Sequence, residues 1–362
     1  LPVKYIWRHI TTQQVAYQQL PVAQRRQFHG KIADWYQRLP QLEERHHAII
    51  ASHLEKAGRL SEAGRAFARA GEYALRQGAT AKALEQLRKA LQYAVPHAQD
   101  GTSDATPADQ TGRKNDNTGR LWEGHYRRLL GEALMQAGDI EASRRELEAA
   151  LELLGQPVPQ GFHRNLFVLV LLLVRQRIRR LRGRNTTKNF LTDEPQIGDV
   201  AHCAALANQR LAQIHYFSND LVIGTSRALR ALTVAESVDD SPGLARSYAD
   251  LCMVMSLLKR CRGADYYAAL AEQVARSVAH LPSLAYVLNV TNMHRLAHGR
   301  WQQVQQLATE SVQIGLALHC DRDRAESLCV LAMQQCFTAQ LSAGLRNFDE
   351  LLRIATRAKN SL

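Results

Sequence analysis

Aromatic residues make up only 6% of this 362-residue chain, and runs of β-branched residues are few. Extended strands therefore have little support. Ala, Leu, Gln, Arg and Glu dominate instead, a composition that favours helix almost throughout. The shortage of bulky rings suits helices that approach each other closely through small side chains.

Signatures of catalysis are missing as well. The sequence has no GxxxxGK[ST] loop to cradle nucleotide phosphates and no GxSxG elbow to present a serine nucleophile. It shows no paired metal-binding aspartates in a cyclase-like strand context. Its six cysteines, Cys203, Cys252, Cys261, Cys320, Cys329 and Cys336, include no CxxC pair and read as free thiols of a reducing compartment. No secretory signal is visible. The expectations are a cytoplasmic setting, no cofactor, no metal and no enzymatic activity.

Acidic residues are missing from one long stretch. None occurs between Leu153 and Thr192, where eight basic residues fall: Arg164, Arg175, Arg177, Arg179, Arg180, Arg182, Arg184 and Lys188. That stretch carries two thirds of the net charge of +12, and the rest of the chain has the near-balanced charge of an ordinary surface. The same stretch holds a run of nine apolar residues, Leu166 to Val174. As a helix the run is about 13.5 Å long, too short for a bilayer core of about 30 Å.

What the chain does have is a repeat. Ala228 and Ala231 recur forty residues on as Ala268 and Ala271, then as Ala308 and Ser311, then as Phe348 and Leu351. Leu211, Leu251, Thr291 and Leu331 keep the same spacing. A fixed period in this range marks a stacked helical solenoid. The period exceeds the roughly 34 residues of a tetratricopeptide unit, so each unit is expected to add about one turn to one or both helices. Turns are expected near Asn219-Asp220, Arg262-Gly263, His298-Gly299 and Ser342-Ala343.

Nearer the start, Ala63, Phe67 and Ala70 recur twenty residues on as Ala83, Leu87 and Ala90. Leu130, Gly131, Leu134, Gly138, Ser143, Leu147 and Ala150 match the tetratricopeptide arrangement: Gly131 at the helix crossing, Gly138-Asp139 at the turn, Ala150 against the next unit. Phe28, Ile32, Trp35 and Tyr36 form an apolar stripe after the break at Pro21. Gly58 ends a helix over 46–57, and Ser61 is the expected cap of the next.

The fold class that follows is all-α, a tetratricopeptide-like solenoid of antiparallel helix pairs wound into a right-handed superhelix. Residues 46–95 hold the first repeats, 96–119 a disordered linker or loop, and 120–182 repeats with a basic helix. Residues 183–199 form a second loop, and 200–362 hold four units of about 40 residues.

Two segments carry a resemblance. Tyr5, Trp7, Arg8 and His9, then Tyr17 and Leu20, then Arg25, Arg26 and His29 are similar to the segment that closes the ATPase module of bacterial AAA/STAND ATPase signalling proteins. Those proteins are often fused to a class III nucleotide cyclase or a protein kinase. The stretch from His46 to Leu91 resembles the start of their helical-repeat tail. The resemblance implies that residues 1–45 end a winged-helix-like module, that the chain is a fragment of something longer, and that its partner is a protein or its own upstream ATPase module. It also implies that His53 is structural, at a helix–helix contact. A MalT-like transcription regulator, whose tail binds an inducer, is the alternative.

Candidate sites are few. His294 and His298 share a helix face, but Arg295 stands where a zinc peptidase needs glutamate. Trp301 reads as core, and Tyr216, Asn219, Asn289 and Asn292 as candidates for a concave groove lined by first helices. Arg175, Arg177, Arg179, Arg180 and Arg182 form the sharpest candidate for an interaction site. An apolar run ahead of them points to a helix buried between solenoid layers, with arginines that line its solvent face or meet acidic residues from neighbouring units. An anionic membrane surface and nucleic-acid phosphates are the competing readings.

Overall fold

The computed structural model describes residues 10–39, 43–94, 111–159, 161–181, 195–218, 220–237 and 241–360. Every element among them is helical. Helices α1 (Ile10–Gln19) and α2 (Val22–Gln37) meet at Pro21, which suits the entry to a helix. A short 3-10 turn at Glu44–His46 leads into α3 (His47–Ala57). The first pairs are α4 (Leu60–Arg76) with α5 (Thr80–Ala94), and α6 (Thr111–Gln136) with α7 (Ile140–Leu153).

A single helix, α8 (Phe162–Leu181), interrupts the pairing. Four pairs follow: α9 (Pro195–Phe217) with α10 (Leu221–Ser237), and α11 (Ser241–Leu257) with α12 (Cys261–Val278). Next come α13 (Leu281–Ala297) with α14 (Trp301–Ala317), and α15 (Asp321–Phe337) with α16 (Leu341–Asn360).

The forty-residue period has a simple physical content. Helices α10, α11, α13, α14 and α15 are each 17 residues long. Each helix from α10 to α16 starts twenty residues after the one before. The added length is therefore shared by both helices of a unit.

The turns are Schellman-type. The Arg260 amide donates to the Met255 carbonyl at 2.8 Å, Arg300 to Arg295 at 3.0 Å, Cys320 to Gly315 at 3.0 Å and Gln340 to Gln335 at 2.8 Å. Such turns need a left-handed residue, and Lys259, Ala279, Gly299, His319 and Ala339 supply it at intervals of twenty. Only one of these five is glycine.

That explains two misplaced turns. The turns expected at Arg262-Gly263 and Ser342-Ala343 lie a few residues earlier, at 258–260 and 338–340. Gly263 and nearby Gly344 stand in the first turns of α12 and α16, and Gly344 serves close packing. A Cβ on Gly344 would lie 2.8 Å from the Cys336 sulfur. Ser61 likewise lies inside α4, whose cap position is Arg59.

The repeated small residues are buried as the period implies. Ala228, Ala231, Ala268, Ala271, Ala308 and Ser311 are each 3% exposed or less. Phe348 is an exception at 37%, since no described helix packs on the outer side of α16. Gly131 crosses the α7 helix where a Cβ would meet the Leu147 Cγ at 2.7 Å, and Gly71 meets Leu87 in the same way at 2.6 Å.

Three expectations change. The loop placed at 96–119 gives way to helix at Thr111, and residues 95–110 lie outside the described ones. Extending an existing helix needs no new nucleus, so a weak sequence can follow a strong one. The loop at 183–199 likewise ends at Pro195, the first residue of α9, a position proline favours; 182–194 lie outside the described residues. Phe28, Ile32 and Trp35 of the apolar stripe face outward, while His29 and Ala33 are the buried residues of α2.

Candidate interaction groove

Helices α6, α9, α11, α13 and α15 are the first members of their pairs. The last four stack on one another, and α6 packs on α9. Their polar side chains meet on the inner side of the array. Glu132 of α6 is the hub. Arg128 of the same helix approaches it at 3.3 Å, Arg322 of α15 donates to it at 3.0 Å, and Arg210 of α9 forms a short ion pair with it. Burial opposes ionisation of Glu132, yet Arg210, Arg322 and Arg128 outweigh it and hold the pKa well below the usual carboxylate range.

Next to this hub lies a second network. The Tyr286 hydroxyl donates to Asp250 Oδ1 at 2.6 Å and accepts from Gln213 Nε2 at 2.8 Å. Asp250 Oδ2 is buried and unpartnered. Burial pushes the Asp250 pKa up to about 7, against the opposing effects of the Tyr286 hydrogen bond, Arg210 and Arg246. This carboxyl is therefore partly protonated at neutral pH.

Arg246 differs from the other arginines of the groove. Its Nε donates to Ser283 Oγ at 3.2 Å, and its guanidinium carbon lies 5.3 Å from the centre of the Tyr286 ring. Among the described residues it forms no ion pair. Burial and Arg210 lower its pKa, with Tyr286, Glu132 and Asp323 only partly compensating. Arg246 and Tyr286 are forty residues apart, so they occupy one repeat position on adjacent inner helices. Arg128, Arg210, Arg246 and Arg322 face Glu132, Asp250, Asp323 and Glu326, and Glu326 pairs with Arg322 at 3.2 Å.

The residues expected to face a groove are placed unevenly. Asn289 and Asn292 are buried, and the Asn289 oxygen accepts from Ser311 at 3.0 Å and Ser327 at 2.9 Å. Tyr216 is exposed, and Asn219 lies outside the described residues. Trp301 packs against Phe337 with ring centres 5.8 Å apart. His53 does meet a neighbouring helix: its Nδ1 is 2.8 Å from His29 Nδ1, and His29 also contacts the Tyr17 hydroxyl.

His294 and His298 have their ring nitrogens engaged within the protein. His294 contacts Ser256 at 2.9 Å and Asp265 at 3.0 Å; His298 contacts the His294 carbonyl at 2.8 Å and the Cys261 sulfur at 3.1 Å. No group of three His, Cys, Asp or Glu among the described residues is arranged to hold a metal.

The basic segment stands apart from this groove. Arg175 is exposed on α8; Arg177, Arg179 and Arg180 lie in the same helix, their side chains outside the description, and Arg182 lies outside the described residues. The apolar run ahead of them is not buried between layers. Leu172 is buried, and Val168 and Leu169 pack on the core, but Leu166, Phe167, Val170, Leu171, Leu173 and Val174 are exposed. The cause is that α8 packs chiefly on α10 and so covers one side only.

No family model matches the chain, and no curated protein matches it. Its fold is nonetheless shared with solved structures. One is a Rap protein complexed with competence and sporulation factor, with a TM-score of 0.54 and 11% identity over 97% of this chain and 80% of that one. Another is aspartyl phosphate phosphatase F from Bacillus subtilis, with a TM-score of 0.53 and 9% identity over 85% of this chain and 64% of that one. The likeness is one of fold. With the repeat geometry it defines the class: an all-α, tetratricopeptide-like helical-repeat solenoid. It carries no ATPase or cyclase context.

Proposed function

We propose that this chain is a non-catalytic helical-repeat scaffold that binds a protein partner in its inner groove. The observation that supports this most directly is Arg246, held above Tyr286 and without an ion-pair partner among the described residues. A half-buried cation with no ion pair among the described residues, set beside other cations, favours an anionic ligand group. An extended peptide that offers a carboxylate, from a side chain or its own C-terminus, meets that need. The Rap structure similar to this chain was solved with competence and sporulation factor, a partner that lends the reading indirect support.

The wider setting follows from the resemblance of Tyr5–His29. In this reading residues 1–45 belong to a winged-helix-like module, and the array regulates an upstream ATPase and a cyclase or kinase output domain in the cytoplasm. Val15, Val22, Phe28 and Trp35, exposed on the first two described helices, supply an apolar face for such a module. An inducer-binding tail of a MalT-like regulator uses the same groove for a small molecule.

Selection from a displayed peptide library against the whole chain tests the reading, with Arg246→Ala as counter-selection. Enrichment of carboxylate-bearing sequences that bind the variant at least roughly tenfold more weakly supports it. Equal binding to both forms, or hydrolysis of ATP by the chain itself, refutes it.

A further inference from the structure

Helix α8 presents an apolar face that no described part of the chain covers. Phe167 is 70% exposed and Leu171 57%, and Phe162, Val170, Val174 and Ile178 are exposed as well. At about 100° per residue these positions sweep roughly half of the helix circumference. That is wider than the stripe of about 100° which packing on one element requires. The opposite side, with Val168, Leu169 and Leu172, already serves the contact with α10.

The helix is held firmly in this attitude. Asn165, 1% exposed, donates to the Pro159 and Gly161 carbonyls at 2.9 Å and accepts from the buried Arg227 of α10 at 3.2 Å. Farther along, Gln176 donates to Glu236 at 3.3 Å. The apolar ridge is thus pinned by polar contacts beneath it and protrudes from the array.

Charge selects what covers it. The ridge lies in the stretch with eight basic and no acidic residues between Leu153 and Thr192. A second copy docked through α8 would set one such segment against another. An anionic bilayer offers what the helix lacks on every side: a deformable apolar layer beneath a sheet of phosphates. It also tolerates a protruding helix without needing a groove of matching shape. No described helix is long and apolar enough to cross a membrane, so the attachment is shallow and in the plane of the surface.

We propose that α8 is a membrane-surface element, seating Phe162, Phe167, Leu171 and Val174 at the headgroup–acyl boundary, with the exposed Arg175 and the basic sequence that follows it supplying charge for anionic lipid. This surface is separate from the groove and does not depend on its ligand.

Vesicle flotation of the full chain provides the test, with phosphatidylcholine alone and mixed with phosphatidylglycerol. Binding is expected to the anionic vesicles only and to weaken with salt. The double variant Phe167→Glu/Leu171→Glu and the quadruple variant Arg175→Gln, Arg177→Gln, Arg179→Gln, Arg180→Gln should each lower binding at least about tenfold. Both alter exposed or terminal parts of α8, and unchanged helical circular dichroism confirms that they fold. No flotation of the unaltered chain overturns the proposal, as does flotation that both folded variants retain. It is equally overturned if the variants abolish self-association or duplex DNA binding while the unaltered chain ignores vesicles.

Discussion

Glu132 and Arg322 are 190 positions apart in the chain, and their side chains meet at 3.0 Å. The contact joins α6 to α15 across the inside of the array. The Gln77 amide, which donates to the His319 carbonyl at 3.4 Å, makes a second bridge between the same two regions. The early and late repeats therefore close on one another, and the groove is bounded at this point by a buried ion-pair cluster.

Removing the hub of that cluster leaves three arginines without their shared carboxylate. Glu132→Gln should lower stability by about 3 kcal/mol, because Arg128 and Arg210 are largely buried and remain charged. The effect has a pH signature. The folded pKa of Glu132 is depressed, so its contribution is complete above the unfolded value of about 4.3 and is lost as pH falls towards the folded value. Urea midpoints measured from pH 7 down to pH 3 should converge between the two proteins.

Asp250 behaves in the opposite sense. Its folded pKa of about 7 lies above an unfolded value near 4, so the folded state holds the proton longer. The stabilisation is complete below about pH 4, declines as pH rises through 7, and is then constant, a change of up to about 4 kcal/mol. Asp250→Asn should flatten this slope, gaining stability relative to the unaltered chain between pH 5 and pH 8. Denaturation curves at those two pH values give the comparison.

Left-handed turn residues offer a gain elsewhere. Lys259 and Ala339 have φ of 55° and 60° in turns where glycine carries no Cβ penalty. Lys259→Gly and Ala339→Gly should each raise stability by about 1 kcal/mol, read as an upward shift of the urea midpoint. A fall would show that the side chain at that position contributes more than its strain.

Glycines at helix crossings have the reverse property. A Cβ at Gly131 would lie 2.7 Å from Leu147 Cγ and 3.2 Å from the Ser143 carbonyl, and Leu147 is fully buried. Gly131→Ala should destabilise the chain by about 1–3 kcal/mol. Gly138→Ala meets no atom within 4 Å and is strained only by its φ of 85°, so it should cost about 1–2 kcal/mol. Thermal denaturation of the pair separates crowding from backbone strain.

Much of the architecture was legible because it is local. The forty-residue spacing of Ala228, Ala268 and Ala308 located the contacts at which neighbouring helices approach, and all three residues are buried. The turns were read less well, since Gly263 suggested a turn but lies within the first turn of α12, and Lys259 gave no hint of a left-handed backbone. The groove left almost no trace. Glu132 matches no motif, and the spacing between Arg246 and Tyr286 gains meaning only once the repeat register is known. The apolar run of α8 was read as interior because nine consecutive apolar residues ordinarily find partners on all sides; here one helix covers one side.

By itself, then, the sequence determined the class: an all-α repeat whose small residues recur at the period of stacked helices. A helix and its contact with the next are set by side chains within a few tens of residues, and periodicity records them directly. Tertiary structure alone decided that Arg322 reaches Glu132, that Arg246 forms no ion pair among the described residues, and that Phe167 and Leu171 lie outside the core. Those outcomes depend on rotations accumulated over many repeats, and no local pattern encodes their sum.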